Sequence, residues 1–574
     1  MDDSLITIQE AAKMLGIRPV TLRKWDREGK LRAVRIGTRR DRKYRQLDIL
    51  AFMEQPIEQH QAQPDKFEWF LIQERGDNIP LLPAVQPMFE EYTISPQKLI
   101  GAPNQNAIMY FEHGGVKYYG DINEWQTTKK YALKKIREEP EYMQNLLDNY
   151  KKNLPKLDQV NQEIKAFDLS KYTNRDLWQV FDKYYQVYKE VYVWSEPYCI
   201  WLSEPLTDYL EEYLREILRE RHQEKLFSQD FEILITSKEI PFTTKEERSL
   251  LDIAIAISED NRLVEIFKNG DNNTIQDALK NYSKVDQMIN RHQEEFEWVP
   301  FDYGSPIWDK GHFIKAITEI FKSGFKIENR MKTIDNFYSD ISIKQEKLFA
   351  ELNIDKYHQN LFKALQADTQ TIDYKKEQFT KSHFIAKRLM DEIKKRFDFT
   401  DEQIYRLSYD DVKKILIDNQ KPNLSTLEHR WERMVVHVYN GTCHIMEGEK
   451  ALKFIEDHGL TKKELKESKE VKGITASGGR AIGIVKVITN PKEFSKMETG
   501  DVLITYMTTP EYVPILRKAA AIVTNEGGIT CHAAIVSREL NIPCIVGTKN
   551  ATDVFKDGDK IEVRANHGVA RKVE

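Results

Sequence analysis

Apolar residues recur at helical spacing through most of the chain. Residues 142–154, 175–192, 206–226, 313–325 and 379–397 carry them at intervals of three and four, which predicts amphipathic helices. Two shorter stretches, 67–72 and 107–119, read as strands, the second folded into a hairpin at Gly114-Gly115. The pattern changes near both ends. In the first 54 residues, Thr7 and Glu10 have the spacing of a capping box, and Ala11, Ala12 and Leu15 share one helical face up to Gly16. Pro19 suits a first helical position, and Val20, Leu22 and Trp25 recur until Gly29 stops that helix. Leu31, Ala33, Val34 and Ile36 then alternate with basic residues toward Gly37-Thr38, as in a hairpin, and 47–53 is a third helical pattern. At the far end, residues 520–524 form a short apolar run of strand type. Gly527-Gly528 break it, because glycine tolerates backbone angles that other residues avoid. Thr530 reads as an N-cap and 533–540 as helix, which puts His532 in a first helical turn.

Glycine and tryptophan divide the chain. Twelve of the 25 glycines lie between 55 and 470, and ten in the last 104 residues, whereas eight of the nine tryptophans fall in the middle. A Gly-poor, Trp-rich stretch argues for a helical body. The expected layout is a winged helix-turn-helix at 1–54, a Gln-rich, Pro-bounded linker at 55–65 and a mainly helical middle at 66–456. A Lys/Glu-dense hinge at 457–470 and a last domain at 471–574 complete it. No G-x-x-x-x-G-K-[ST] run and no other glycine-rich phosphate loop occurs in the middle. Its Met and aromatic positions read as core. Cys443-His444 looks like a reactive pair, but a buried pair on a helix is the plainer expectation.

The N-terminal turn of a helix has unpaired N–H groups and the positive end of the dipole. That end disfavours imidazolium, keeping a ring such as His532 neutral and nucleophilic, and it suits a phosphoryl group placed on that ring. The plain alternative is a histidine with no chemistry at a helix start. The surrounding sequence changes the balance: 473–483 (Gly-Ile-Thr-Ala-Ser-Gly-Gly-Arg-Ala-Ile-Gly), 500–505, Thr508-Thr509-Pro510, 541–547 and Asp557-Gly558-Asp559 are spaced around it. Together, over about 470–574, they resemble the swivelling phosphohistidine domain of the phosphoenolpyruvate-utilising enzymes, the family of phosphoenolpyruvate synthase, pyruvate phosphate dikinase and rifampicin phosphotransferase. The resemblance implies a multidomain α+β chain ending in a β/β/α swivelling domain. It implies that His532 is phosphorylated, that Thr530 orients it, and that Gly527, Gly528 and Cys531 lie along the phosphate. Cys531 stands where many members have Ser, and 564–566 departs from the usual ending. Stretches at 376–377, 397–416 and 430–448 resemble, as architecture only, the helical region preceding that domain in the same enzymes.

The head differs from the rest in charge. Residues 18–45 hold twelve Lys/Arg against three acids, a net +9, so the remainder carries −14 of the chain's −5. Positive charge confined to one small module is the footprint of a phosphate-backbone binder. The segment resembles the excisionase-type helix-turn-helix. That likeness implies that Arg18, Thr21, Arg23, Lys24 and Arg27 approach the major groove while Arg35, Arg39 and Arg40 on the hairpin touch phosphates. A solvated basic face, or a module turned to protein contact, is the alternative. A single module of this size binds weakly, so a homodimer is expected.

The absence of any 18-residue apolar run argues against a membrane span, and an acidic N-terminus without an apolar core against a signal peptide. Four scattered cysteines, at 199, 443, 531 and 544, form no zinc spacing and suit a reducing cytoplasm. No metal ligand set and no cofactor of its own are expected. The family resemblance implies that ATP and Mg²⁺ act through a separate ATP-grasp protein and that a small-molecule acceptor receives the phosphoryl group. Three readings stand: a phosphohistidine-carrying phosphotransferase subunit with a DNA-binding head, a DNA-binding regulator whose last domain is only a sensor, and a self-sufficient phosphotransferase. The carrier reading needs a ring that some donor can reach.

Overall fold

The computed structural model describes residues 5–7, 11, 33–36, 41–45 and 67–573, apart from 76–79, 103, 113–114, 196–202, 302–303, 305–306, 323–325, 461–468, 509–511 and 529–530. The chain divides into two units, Met1–Glu68 and Trp69–Glu574. In the first, strands β1 (Leu5–Thr7), β2 (Val34–Ile36) and β3 (Asp41–Arg45) form an antiparallel sheet in the order β1-β3-β2. The β2–β3 hairpin is the one read from alternating residues. β1, ending on the threonine read as a cap, was not. The helical patterns at 8–16, 19–28 and 47–53 lie almost wholly outside the described residues, as does the 55–65 linker.

The second unit opens with a five-stranded antiparallel sheet. β4 (Trp69–Arg75), β5 (Asn106–Glu112), β6 (Gly115–Asp121), β7 (Arg433–Tyr439) and β8 (Thr442–Glu447) stand in the order β4-β6-β5-β7-β8. The β5–β7 pairing, with Ile108 opposite His437, joins residues more than 300 apart in sequence and closes the helical body on itself. β7 and β8 correct the expectation that Cys443 and His444 sit on a helix: both are on β8, and His444 faces His437 across the ladder. The local cause is Asn440-Gly441, with φ of 49° and 76°, which matches the twist of a two-residue hairpin.

Between those strands run the helices. Those used below are α1 (Tyr142–Ala166), α2 (Asn174–Tyr192), α3 (Phe227–Ile235), α4 (Phe242–Ser258) and α5 (Lys356–Phe397). The helical periods read at 142–154, 175–192, 206–226, 313–325 and 379–397 fall on helices of this body over most of their described residues. α2 begins at a full capping box, with Thr173 and Asp176 satisfying each other's backbone donors. α5, 42 residues long, is started by the Asp355 side chain accepting from His358 N–H, and its last turn carries Lys394, Lys395 and Arg396 against the dipole. It packs along α1, and Tyr150, Tyr184, Tyr188, Phe379 and Leu389 are buried where α1, α2 and α5 meet.

The last lobe has an eight-stranded sheet. Its strands are β9 (Glu470–Lys472), β10 (Ile474–Ser477), β11 (Arg480–Val487), β12 (Val502–Thr505), β13 (Ala521–Thr524), β14 (Cys544–Val546), β15 (Lys560–Arg564) and β16 (Val569–Lys572). They stand in the order β10-β14-β13-β12-β11-β15-β16-β9, parallel from β11 to β14 and antiparallel elsewhere. β12 and β13 are buried along their whole length and read as continuous apolar runs, as central parallel strands do. Helix α6 (His532–Glu539) packs on β10, β14 and β13. The lobe's buried clusters, one around Leu503, Ile522 and Val546, the other around Val485, Val523 and Ile561, contain residues of the lobe alone. Those of the body likewise contain none from the lobe. Lobe and body therefore share no merged core among the described residues.

Candidate functional site

The site is the turn from β13 into α6. Asn525 is pinned at the strand end: its amide donates to Thr552 Oγ1 at 2.7 Å and accepts from Thr552 N–H at 3.0 Å. Gly527 follows at φ +106°, and a Cβ there would lie 2.7 Å from Cys531 Sγ, so both its backbone angle and the close approach require glycine. Gly528 is exposed, with open space where a side chain would go. The helix starts at His532 and its cap is Cys531, at φ −72° and ψ 164°, with no side-chain cap bond. This moves the cap one residue along from Thr530, which lies outside the described residues. Cys531 N–H is already committed to Gly528 C=O at 3.0 Å, and burial pushes its thiol above the usual range, so it supplies neither a thiolate nor a free N–H.

His532 occupies the first helical position. Thr508 Oγ1 lies 2.8 Å from its Nδ1. Nε2 is covered and has no hydrogen-bond partner, and among the described residues of the lobe it is the only buried side-chain polar atom left so. The residue as a whole is half-buried, and that nitrogen is covered. Burial, and then the positive charge of Lys376 on α5, push the imidazole down to about 3. The ring is thus neutral at pH 7. Where Nδ1–H donates to the threonine oxygen, the lone pair rests on Nε2. Thr508 is the contact that sequence reasoning did not single out. It sits in the Thr-Thr-Pro run quoted for the domain, but only the fold brings it to the ring, from 24 residues away.

Lys376 belongs to the body, so the ring lies within electrostatic reach of the body. Polar contacts hold the interface. Arg517 pairs with Glu247 of α4 at 2.6 Å, and Arg330 holds the same carboxylate at 2.8 Å. Arg538 of α6 meets Glu232 of α3 at 3.3 Å, and Glu526 accepts from Glu74 N–H at 2.6 Å. An open cleft runs beside them between Thr243 and Val299 of the body and Val513, Val536 and Leu540 of the lobe.

Of the residues read as a DNA face, Arg35 lies on β2 opposite Arg42. Arg18, Thr21, Arg23, Lys24, Arg27, Arg39 and Arg40 lie outside the described residues. Among the described residues no three His, Cys, Asp or Glu side chains converge to hold a metal, and no helix is long and apolar enough to cross a membrane.

Residues 497–568 match the family model of the PEP-utilising enzyme, mobile domain. Residues 5–56 match that of the helix-turn-helix domain. A probable phosphoenolpyruvate synthase of Archaeoglobus fulgidus is 60% identical over 99 residues, 17% of this chain and 13% of that protein. The phosphoenolpyruvate synthase of Pyrococcus furiosus is 39% identical over 171 residues, 28% and 21% of the two chains. That of Escherichia coli is 52% identical over 96 residues, 16% and 12%. The chain thus spans only 12% to 21% of these relatives' lengths. Among solved structures, aconitase X of Thermococcus kodakaraensis aligns with 19% of this chain at 19% identity, with a TM-score of 0.15, too low to inform the fold.

Proposed function

We propose that this chain is a phosphohistidine carrier, a phosphotransferase subunit of the phosphoenolpyruvate-utilising type with a DNA-binding head. One observation carries the reading. Among the described residues, the lobe that matches the mobile domain leaves a single buried side-chain polar atom without a partner, and it is the nucleophilic nitrogen of a neutral histidine at a helix N-terminus. Thr508 acts as the orienting group: by accepting from Nδ1–H it selects the tautomer whose Nε2 lone pair can attack phosphorus. The bond from phosphorus to the donor's oxygen breaks and its electrons leave with the donor. The same exchange in reverse delivers the group to an acceptor hydroxyl.

With Nε2 covered in the docked arrangement, loading requires the lobe to leave the body. The separate cores and the few polar latches support such a swing, since a boundary without a merged apolar core resembles a transient interface. The nucleotide and its Mg²⁺ belong in this reading to an ATP-grasp protein acting in trans, and a small-molecule acceptor to the helical body. The helix-turn-helix match and the +9 charge of residues 18–45 favour duplex DNA as the partner of the head, bound by a homodimer.

Labelling tests the carrier. Radiolabelled ATP or phosphoenolpyruvate is incubated with the chain, with and without the products of neighbouring genes. Acid-labile, base-stable label that disappears in His532→Ala supports it. Label from ATP with the purified chain alone makes the phosphotransferase self-sufficient, and no label under any condition leaves a regulator. For the head, a salt-dependent shift of duplex DNA lost in the Arg23→Ala, Arg27→Ala double variant is the expected result. Unchanged binding removes the groove assignment.

A further inference from the structure

Glu247 of α4 is shared between the body and the lobe. From the body, Arg330 on the helix Ile327–Glu351 grips it with one edge of its guanidinium, Nε to Oε1 at 3.0 Å and Nη2 to Oε2 at 2.8 Å. From the lobe, Arg517 Nη2 donates to the same Oε1 at 2.6 Å. With the lobe docked, the side chains of Glu247 and Arg330 are 14% and 10% exposed, and that of Arg517 is 33% exposed. Burial by itself raises the carboxyl, but Arg330 and Arg517 together bring it below the usual range, so it is ionised at pH 7. The other ion pair across this boundary is built differently. Glu232 is 28% exposed, and among the described residues its only ion pair is with Arg538 of the lobe.

The two glutamates meet different fates when the lobe leaves. Arg517 and Glu232 are already partly in water, which takes over as their partner. A carboxylate as covered as Glu247 is strongly destabilising once it loses its only cation. Arg330 removes that penalty, because it stays behind on the body and keeps Glu247 paired. Resting on the carrier reading, we infer that Arg330 is a positioning residue for phosphoryl transfer: it keeps Glu247 paired in both positions of the lobe, lets Arg517 release, and so sets how often His532 meets a donor. Arg517 then favours the docked lobe and Arg330 favours its release, although both bond one carboxylate. Residues that merely hold an interface together all act in the same direction.

Two readouts on the full-length chain test this. Diethyl pyrocarbonate, which transfers its ethoxycarbonyl group to an accessible imidazole nitrogen and releases ethanol and carbon dioxide, reports exposure of His532 by mass spectrometry and needs no phosphotransfer. Potassium phosphoramidate reports loading: its P–N bond breaks, the electron pair leaving on ammonia, as the P–Nε2 bond forms. Arg517→Met is expected to raise both rates about tenfold, and Arg330→Met to lower both by a similar factor, with Arg330→Lys restoring most of the loss. In the Arg517→Met background Arg330→Met changes neither rate, because the lobe no longer bonds Glu247. Faster modification in Arg330→Met, or the same slowing with Arg517 already removed, overturns the role of Arg330 and leaves the carrier standing. Equal rates in all the variants, with His532 labelled in each, do the same. No phosphoryl label on His532 from phosphoramidate or from any other donor overturns the carrier, and with it the part of Arg330 in transfer.

Discussion

The lobe and the body handle buried charge in opposite ways. In the lobe, Glu562 is covered, and the atoms covering it are largely its own partners: Arg564 at 2.8 Å, Arg571 at 2.9 Å and Arg480 at 2.5 Å. In the body, Arg406 is fully buried, with all three guanidinium nitrogens lacking a hydrogen-bond partner. Its cation lies between the rings of Phe111 and Trp431 at 5.1 and 4.9 Å. Burial pushes that guanidinium down to about 10, whereas Arg564, then Arg571 and Arg480, hold the Glu562 carboxyl down to about 2 against desolvation. Among the described residues, the lobe's buried side-chain polar atoms all have partners except the one assigned to chemistry. The body tolerates polar groups that aromatic faces compensate only partly. An unsatisfied atom is therefore a sharp functional pointer in the lobe and a poor one in the body.

Four experiments break or sharpen that contrast. The largest effect is at His532: alanine there abolishes acid-labile label while leaving the circular dichroism unchanged, because the ring bonds only Thr508. Label surviving in that variant places the chemistry elsewhere. Next, Thr508→Val removes the oxygen that holds Nδ1–H and lowers the labelling rate by about 10²-fold, with Thr508→Ser restoring most of it. A rate unchanged in valine would mean that the tautomer is not set by this contact. Third, Arg406→Met in the body raises stability by about 1–3 kcal/mol in urea unfolding, because it removes an uncompensated buried charge while keeping apolar volume. A comparable loss would show that the two rings satisfy the cation. The smallest effect is acid behaviour. Glu562 is lowered in the folded lobe, so it adds stability above its unfolded value, near 4.5, and loses it as pH falls toward about 2. Hydrogen exchange of β15 should accelerate across that window in the parent and be flat in Glu562→Gln.

Legibility also differed between the two regions. The lobe could be read because its signals are local. Gly527 is dictated by a positive φ, β12 and β13 are continuous apolar runs, and the helix start at His532 follows from the glycine break before it. The cap was misplaced by one residue because Cys531 fills that position without a side-chain bond, a role that residue type does not reveal. The body showed its helices through spacing alone. It hid the β7–β8 hairpin despite Asn440-Gly441, since that signal is two residues in a stretch otherwise taken for helix.

By itself, then, the sequence determined several helical stretches of the middle, that the histidine of the last lobe stands at a helix N-terminus, and that basic charge is gathered in the head. These follow from the period of apolar residues, from glycine's backbone freedom and from net charge, all of which act over a few residues. Only the tertiary structure decided that Thr508 holds Nδ1, that Nε2 is the nitrogen without a partner, and that the charge of Lys376 reaches the ring. It also decided that Arg517 and Arg538 latch the lobe to Glu247 and Glu232. Each of these joins side chains far apart in sequence, and no local pattern encodes a contact whose partners meet only when separate elements pack.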